Sequence, residues 1–111
     1  MDWIVINIAE EFSRFPGARY PDEGDFSGEE LRKKYLTPRL KEALDKGCGL
    51  RIILDGSAGY STAFLEEAFG GLVREDGFTK EQLDIIDYVS DEDPTYIDDI
   101  QAYIEDAAQH N

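Results

Sequence analysis

The sequence predicts an α/β domain built on a largely parallel sheet. Three short β-branched apolar runs, near residues 3–8, 50–54 and 85–89, are separated by stretches whose apolar residues recur at helical spacing. The order is therefore strand, helix, strand, helix, strand, helix, and strands joined through helices pair in parallel by right-handed crossovers. The 111 residues, 41% of them apolar, suffice for one hydrophobic core and not for two, so residues 1–111 are read as a single domain.

Trp3-Ile4-Val5-Ile6-Asn7-Ile8 is the first strand. Phe15-Pro16-Gly17-Ala18-Arg19-Tyr20-Pro21 is turn-rich with room for one further short strand, and Asp22-Glu23-Gly24-Asp25 is a loop. Ser27-Gly28-Glu29-Glu30 is a capping box that opens a helix. Pro38 falls inside that helix, which should kink or restart near Thr37, bury Leu36, Leu40, Ala43 and Leu44, and end at Gly47. Leu50 to Leu54 is almost continuously apolar, as in a strand buried on both faces or nearly so.

After the turn Asp55-Gly56-Ser57-Ala58-Gly59, residues Leu65, Ala68, Phe69, Leu72 and Val73 form an amphipathic helical face that stops at Gly77. Gly70-Gly71 inside this helix costs about 1 kcal/mol each against alanine, which points to a close backbone approach. Thr79 to Gln82 is a second capping box, Ile85 to Val89 the third strand, and Asp93-Pro94 the start of a last helix with Ile97, Ile100, Ile104 and Ala107 inward.

Charge narrows the function classes. Asp plus Glu outnumber Lys plus Arg by 25 to 11, a net charge of −14. Such a surface opposes direct contact with nucleic acid phosphates and with anionic membranes, and favours a basic protein partner. Seven of the eleven basic residues lie between Arg32 and Arg51, and from Glu81 onward there are ten acidic residues and no Lys or Arg. On that acidic last helix Tyr96 and Tyr103 are seven apart, so with Asp98 and Asp99 they are a candidate contact patch or else flank the core stripe. Cys48 is the one cysteine, which suits a reducing cytoplasm, and neither a secretory signal nor a membrane span is expected.

No catalytic group is expected. The one histidine, His110, sits beside the terminus, so Ser-His and Cys-His schemes lack a base and Cys/His zinc sites lack ligands. The acidic clusters Asp22-Glu23-Gly24-Asp25 and Asp91-Glu92-Asp93 lack the twelve-residue calcium pattern. Neither metal nor cofactor is expected. The loop from Asp55 to Thr62 remains: it leaves the C-terminal end of a central strand and enters a helix, where α/β proteins place ligands. It lacks the Gly-Lys-Ser/Thr ending of a P-loop. Its Asp55, Ser57, Tyr60, Ser61 and Thr62 are candidate partner-facing or phosphoacceptor residues, or Ser61 or Thr62 is simply the helix cap.

Leu54-Asp55-Gly56, Gly59-Tyr60 and above all Phe64-Leu65-Glu66-Glu67-Ala68-Phe69-Gly70-Gly71-Leu72-Val73-Arg74 resemble the bacterial STAS-like domains of unknown function. Phe15 to Tyr20, Phe26 to Arg32 and Leu36 to Leu40 also look like that family, so the resemblance runs from about Ala9 to Ala107. It implies a mixed, mostly parallel sheet of about four strands with helices mainly on one face. It also implies kinship with the STAS domains of anti-sigma factor antagonists, in which an ATP-binding kinase phosphorylates a serine at the start of the helix after a central strand. Aligning the helix leucine with Leu65 puts that position at Thr62, beside Ser61. Here Ser61-Thr62-Ala63-Phe64 replaces the family's Asp-Ser-Ser-Gly signature.

The expectation is a non-catalytic regulatory module that docks on a protein, either an ATP-binding kinase as the resemblance implies or a protein with a basic surface. Two alternatives stay open: an acidic nucleic-acid mimic that blocks a basic groove, and a phosphate carrier using Asp55, with Asp87 as the other candidate carboxylate.

Overall fold

A computed structural model describes residues 2–110. Strands β1 (Trp3–Asn7), β2 (Gly49–Ile53) and β3 (Ile86–Val89) form one sheet in the order β1-β2-β3, with both pairings parallel. The α/β class holds, with three strands among the described residues where about four were expected, all paired in parallel. Phe15 to Pro21 supplies no strand because its backbone is bonded elsewhere. Gly17 N–H donates to the Phe26 carbonyl at 2.8 Å, and the carbonyls of Ala18 and Arg19 accept from Gly28 and Glu29 at 2.9 and 3.1 Å. Groups satisfied in this way do not extend a ladder.

Strand periodicity sends Ile4, Ile6, Leu50, Ile52, Ile86 and Tyr88 to one face and Trp3, Val5, Arg51, Ile53, Asp87 and Val89 to the other. Ile6, Leu50 and Ile52 are fully buried beneath the helices. The second face is open: Trp3 is 37% and Val5 43% exposed. Strand β2 is buried on the helix side and nearly so on the other, where Gly49 is buried and Arg51 and Ile53 are half-buried.

Helix α1 (Ile8–Glu11) follows β1 directly, with Asn7 accepting the Glu10 amide as its cap at 3.2 Å. Helices α2 (Gly28–Leu31) and α3 (Thr37–Lys46) are joined by a π turn, Arg32–Leu36, and the residues at both joints keep helical dihedrals. Pro38 has no N–H to give, and the wider turn before it lets the helix continue without a break. Ser27 accepts the Glu30 amide at 3.1 Å, but the Glu30 carboxylate bonds Lys34 at 3.1 Å, so half of the expected box is built. Leu36, Leu40 and Ala43 are fully buried, and Gly47 ends the helix at φ +66°.

The next helix has the same construction: α4 (Thr62–Leu65), a π turn (Glu66–Gly70) and α5 (Gly71–Arg74). Phe64, Leu65, Ala68, Phe69, Leu72 and Val73 are buried. A Cβ on Gly28 would stand 2.4 Å from the Phe64 carbonyl oxygen, so α2 crosses α4 at backbone contact. Helix α6 (Lys80–Leu83) opens on the full Thr79/Gln82 box. Helix α7 (Thr95–Gln109) starts where the Asp93 carboxylate accepts the Thr95 amide at 3.1 Å. Ile100, Ile104 and Ala107 are its buried stripe, with Ile97 half-buried. Among the described residues no helix is long and apolar enough to cross a membrane.

Candidate functional site

Strand β2 delivers the chain at Leu54, whose side chain is buried, and the turn from Asp55 to Ser61 leads into α4. Gly56 and Gly59 hold φ of +95° and +139°, where a side chain would be strained. Tyr60 anchors the turn: its hydroxyl donates to the Leu54 carbonyl at 2.8 Å. Burial disfavours the phenolate and raises the Tyr60 pKa to about 12. Tyr96 packs edge-on against Tyr60 with ring centroids 5.2 Å apart, and its hydroxyl accepts the Tyr60 amide at 3.3 Å.

A reciprocal clasp ties this turn to the β3–α7 loop. The Asp55 carboxylate accepts the amides of Asp91 and Glu92 at 3.1 and 2.9 Å, and Glu92 accepts the Gly56 amide at 2.7 Å. Both Asp55 oxygens are thus engaged with backbone. Asp87, the other carboxylate considered, lies within β3 and bonds Arg51 at 2.7 Å.

Ser61 is the helix cap. Its Oγ accepts the Phe64 amide at 3.1 Å and its hydroxyl donates to the Gly17 carbonyl at 3.4 Å. Thr62 is the first helical residue, exposed, with no hydrogen bond from its hydroxyl among the described residues. Ser57 is half-buried within the turn. The Gly17 contact brings the Phe15–Phe26 loop against the helix start, and the Ala58 amide donating to the Arg14 carbonyl at 2.8 Å makes a second tie. That loop presents Phe15, 72% exposed, and Phe26, 40% exposed, the latter at φ +57° with its ring edge-on to Phe12. A bulky residue at positive φ is strained backbone held by its surroundings, here by the Gly17–Phe26 bond. Sequence reasoning read this loop as turn and missed its exposed aromatics.

The candidate patch on α7 is divided. Tyr96 belongs with Tyr60 and the turn, Tyr103 is half-buried against the core, and Asp98 and Asp99 are exposed.

Sequence reasoning also missed an ionic cluster that braces the two long helices. Arg32 and Glu67 are each 2% exposed and bond at 2.9 Å. Arg32 Nη1 also bonds both Asp76 oxygens at 3.1 and 3.0 Å, and Thr37 donates to Asp76 at 2.6 Å. Arg74 Nη1 bonds Glu66 at 2.6 Å, and Arg19 bonds Glu66 from the other side. Burial acts to raise the Glu66 pKa, but hydrogen bonds from Arg74 and Arg19 outweigh it and hold the carboxyl below its ordinary range. The cluster ties the helix that starts at Gly28 to the one that starts at Thr62. Among the described residues no three His, Cys, Asp or Glu side chains are grouped to hold a metal ion.

A family model described as STAS-like domain of unknown function (DUF4325) matches residues 27–95, a span that includes helices α2 to α6, strands β2 and β3, and the whole Asp55–Thr62 turn. No curated protein and no solved structure matches the chain.

Proposed function

The chain belongs to this STAS-like family, and from that premise we propose that it is a non-catalytic regulatory module that docks on a protein through the start of α4. The observation that carries the reading is the division of labour between two adjacent hydroxyls. Ser61 is used up as the cap, while Thr62, which the resemblance to the anti-sigma factor antagonist domains aligns with their switch residue, stands exposed, its hydroxyl unbonded among the described residues. Phe15 and Phe26, on the loop bonded to Ser61 and Ala58, are exposed aromatics of the kind that anchor docking. The partner is a protein with a basic rim, with an ATP-binding kinase as the specific expectation.

Modification of Thr62 would add about −1.5 to −2 charges next to the first free amides of the helix, where an anion is tolerated. The fold would survive and the dry contact would not. The phosphate-carrier alternative is less favoured, because Asp55 would have to release two backbone amides.

Mass spectrometry of the protein purified from its own host, together with its partner's affinity for wild type, Thr62→Glu and Ser61→Ala, tests the reading. Expected are phosphate on Thr62 and binding weakened at least tenfold, about 1.4 kcal/mol, by Thr62→Glu at unchanged melting temperature. An unmodified Thr62 with equal affinity for all three proteins would leave the site a helix cap only.

A further inference from the structure

We propose that the open face of the sheet is a second docking surface, one that receives a single short amphipathic helix with basic flanks from a partner protein. All-parallel sheets occur almost only with both faces covered. Here the helices cover one face, and the other leaves Trp3, Val5, Ile53 and Val89 around one ion pair.

That pair is already formed, with charge facing charge. Arg51 Nε bonds Asp87 at 2.7 Å, and the guanidinium lies 4.4 Å over the Trp3 ring. A cover can therefore settle on the face without stranding an unpaired charge, the usual obstacle to burying one.

The dimensions suit a helix. Strands of five residues run roughly 17 Å, and three strands span roughly 10 Å between outer axes. A helix about 10 Å wide and about 11 residues long fills that footprint.

Charge says what kind of helix. Each end of the face carries carboxylate, one group at the first end and three at the other. At the N-terminal end of the strands, Asp84 lines a groove of about 370 Å³ with Trp3, Leu44, Cys48 and Ile85. At the other end Glu10, Asp55 and Glu92 gather beside Asn7 and Ile53, with Arg14 the one basic residue among them. Lysines or arginines at the helix ends would meet these rims. A second copy of this chain is a poorer occupant, since it would press one charge of −14 against another.

Trp3 is the one tryptophan of the chain and stands on this face, so its emission reports what covers it. The probe is a synthetic helical peptide of about 12 residues with a leucine stripe, lysine flanks and no tryptophan. Its counterpart carries glutamate flanks. The lysine peptide is expected to shift Trp3 emission to the blue in a saturable titration. Val5→Asp, folded as judged by circular dichroism, should weaken binding at least tenfold, and the glutamate peptide should bind at least tenfold more weakly. Thr62→Glu should bind the lysine peptide like wild type, which separates this surface from the turn whatever becomes of the Thr62 reading. The proposal is overturned by unmoved emission, by equal binding to Val5→Asp, or by equal binding of the two peptides. It is equally overturned by a blue shift that follows protein concentration alone together with a dimer in sedimentation, since a second copy would then be the cover.

Discussion

Arg32 lies across Gly71 where the two long helices meet. A Cβ on Gly71 would stand 2.6 Å from Arg32 Nε and 2.9 Å from its Cδ. That Nε is buried with no acceptor, while the far end of the guanidinium is held by Glu67 and Asp76. The second glycine of the Gly-Gly pair is therefore explained by a side chain of another helix, and not by the sheet or by a partner.

Gly71→Ala tests this relationship against propensity. In an open helix the change would stabilise by about 1 kcal/mol. Here it should destabilise by more than about 2 kcal/mol, because the displaced arginine leaves a buried, paired position. Urea melts decide the sign, and an alanine variant as stable as wild type would show that Arg32 moves aside freely.

Glu67→Ala should be worse. Removing one partner of a buried pair leaves the other charged and desolvated, at about 3–5 kcal/mol. A loss under about 1 kcal/mol in the same melts would mean that Asp76 alone satisfies Arg32.

Acid should weaken the fold in part through Glu66. Its folded pKa is depressed, so the ionised form stabilises the fold. That contribution is complete above the ordinary glutamate value of about 4.3 and is lost as pH falls through the lowered one. Stability measured from pH 7 down to about pH 3 should fall more steeply for wild type than for Glu66→Gln. Parallel curves would remove Glu66 from the account.

Tyr60 acts at the other end of the scale. With its pKa raised to about 12, the neutral phenol stabilises the fold fully below about pH 10, the ordinary tyrosine value, and that contribution is lost as pH rises through 12. Tyr60→Phe should flatten the stability curve in this window. At neutral pH it should cost about 1–3 kcal/mol, by leaving the Leu54 carbonyl buried without a donor. No loss at neutral pH would show that water replaces the hydroxyl.

What was legible in the sequence is what short range decides. The helical face from Leu65 to Val73, the Thr79 box, the Gly47 stop and the candidacy of Ser61 as a cap each depend on residues within a turn or two, and each is built as read. The misreadings share a different origin. The uneven cover of β2, complete on one side and partial at Arg51 and Ile53 on the other, depends on what packs across the sheet. Phe15 to Pro21 is turn-rich and left room for a short strand, but its hydrogen-bond partners lie in the Phe26–Glu29 segment. At the site, the exposure of Thr62 follows from its place one residue past the cap. The Asp55–Glu92 clasp and the Arg32–Glu67 pair join residues far apart in the chain, and no local pattern announces them.

The sheet register has a kinetic meaning. Trp3 pairs with Gly49 and Leu50 with Ile86, so no two neighbouring strands meet through a hairpin, and each contact waits for an intervening helical segment to be brought round. Closure of those long loops is costly before any ladder forms to offset it. The helices, whose turns are local, are the parts able to assemble early. The slow event in folding is the arrival of β1 and β3 on either side of β2, which places the chain with α/β domains that fold more slowly than helical bundles of the same length.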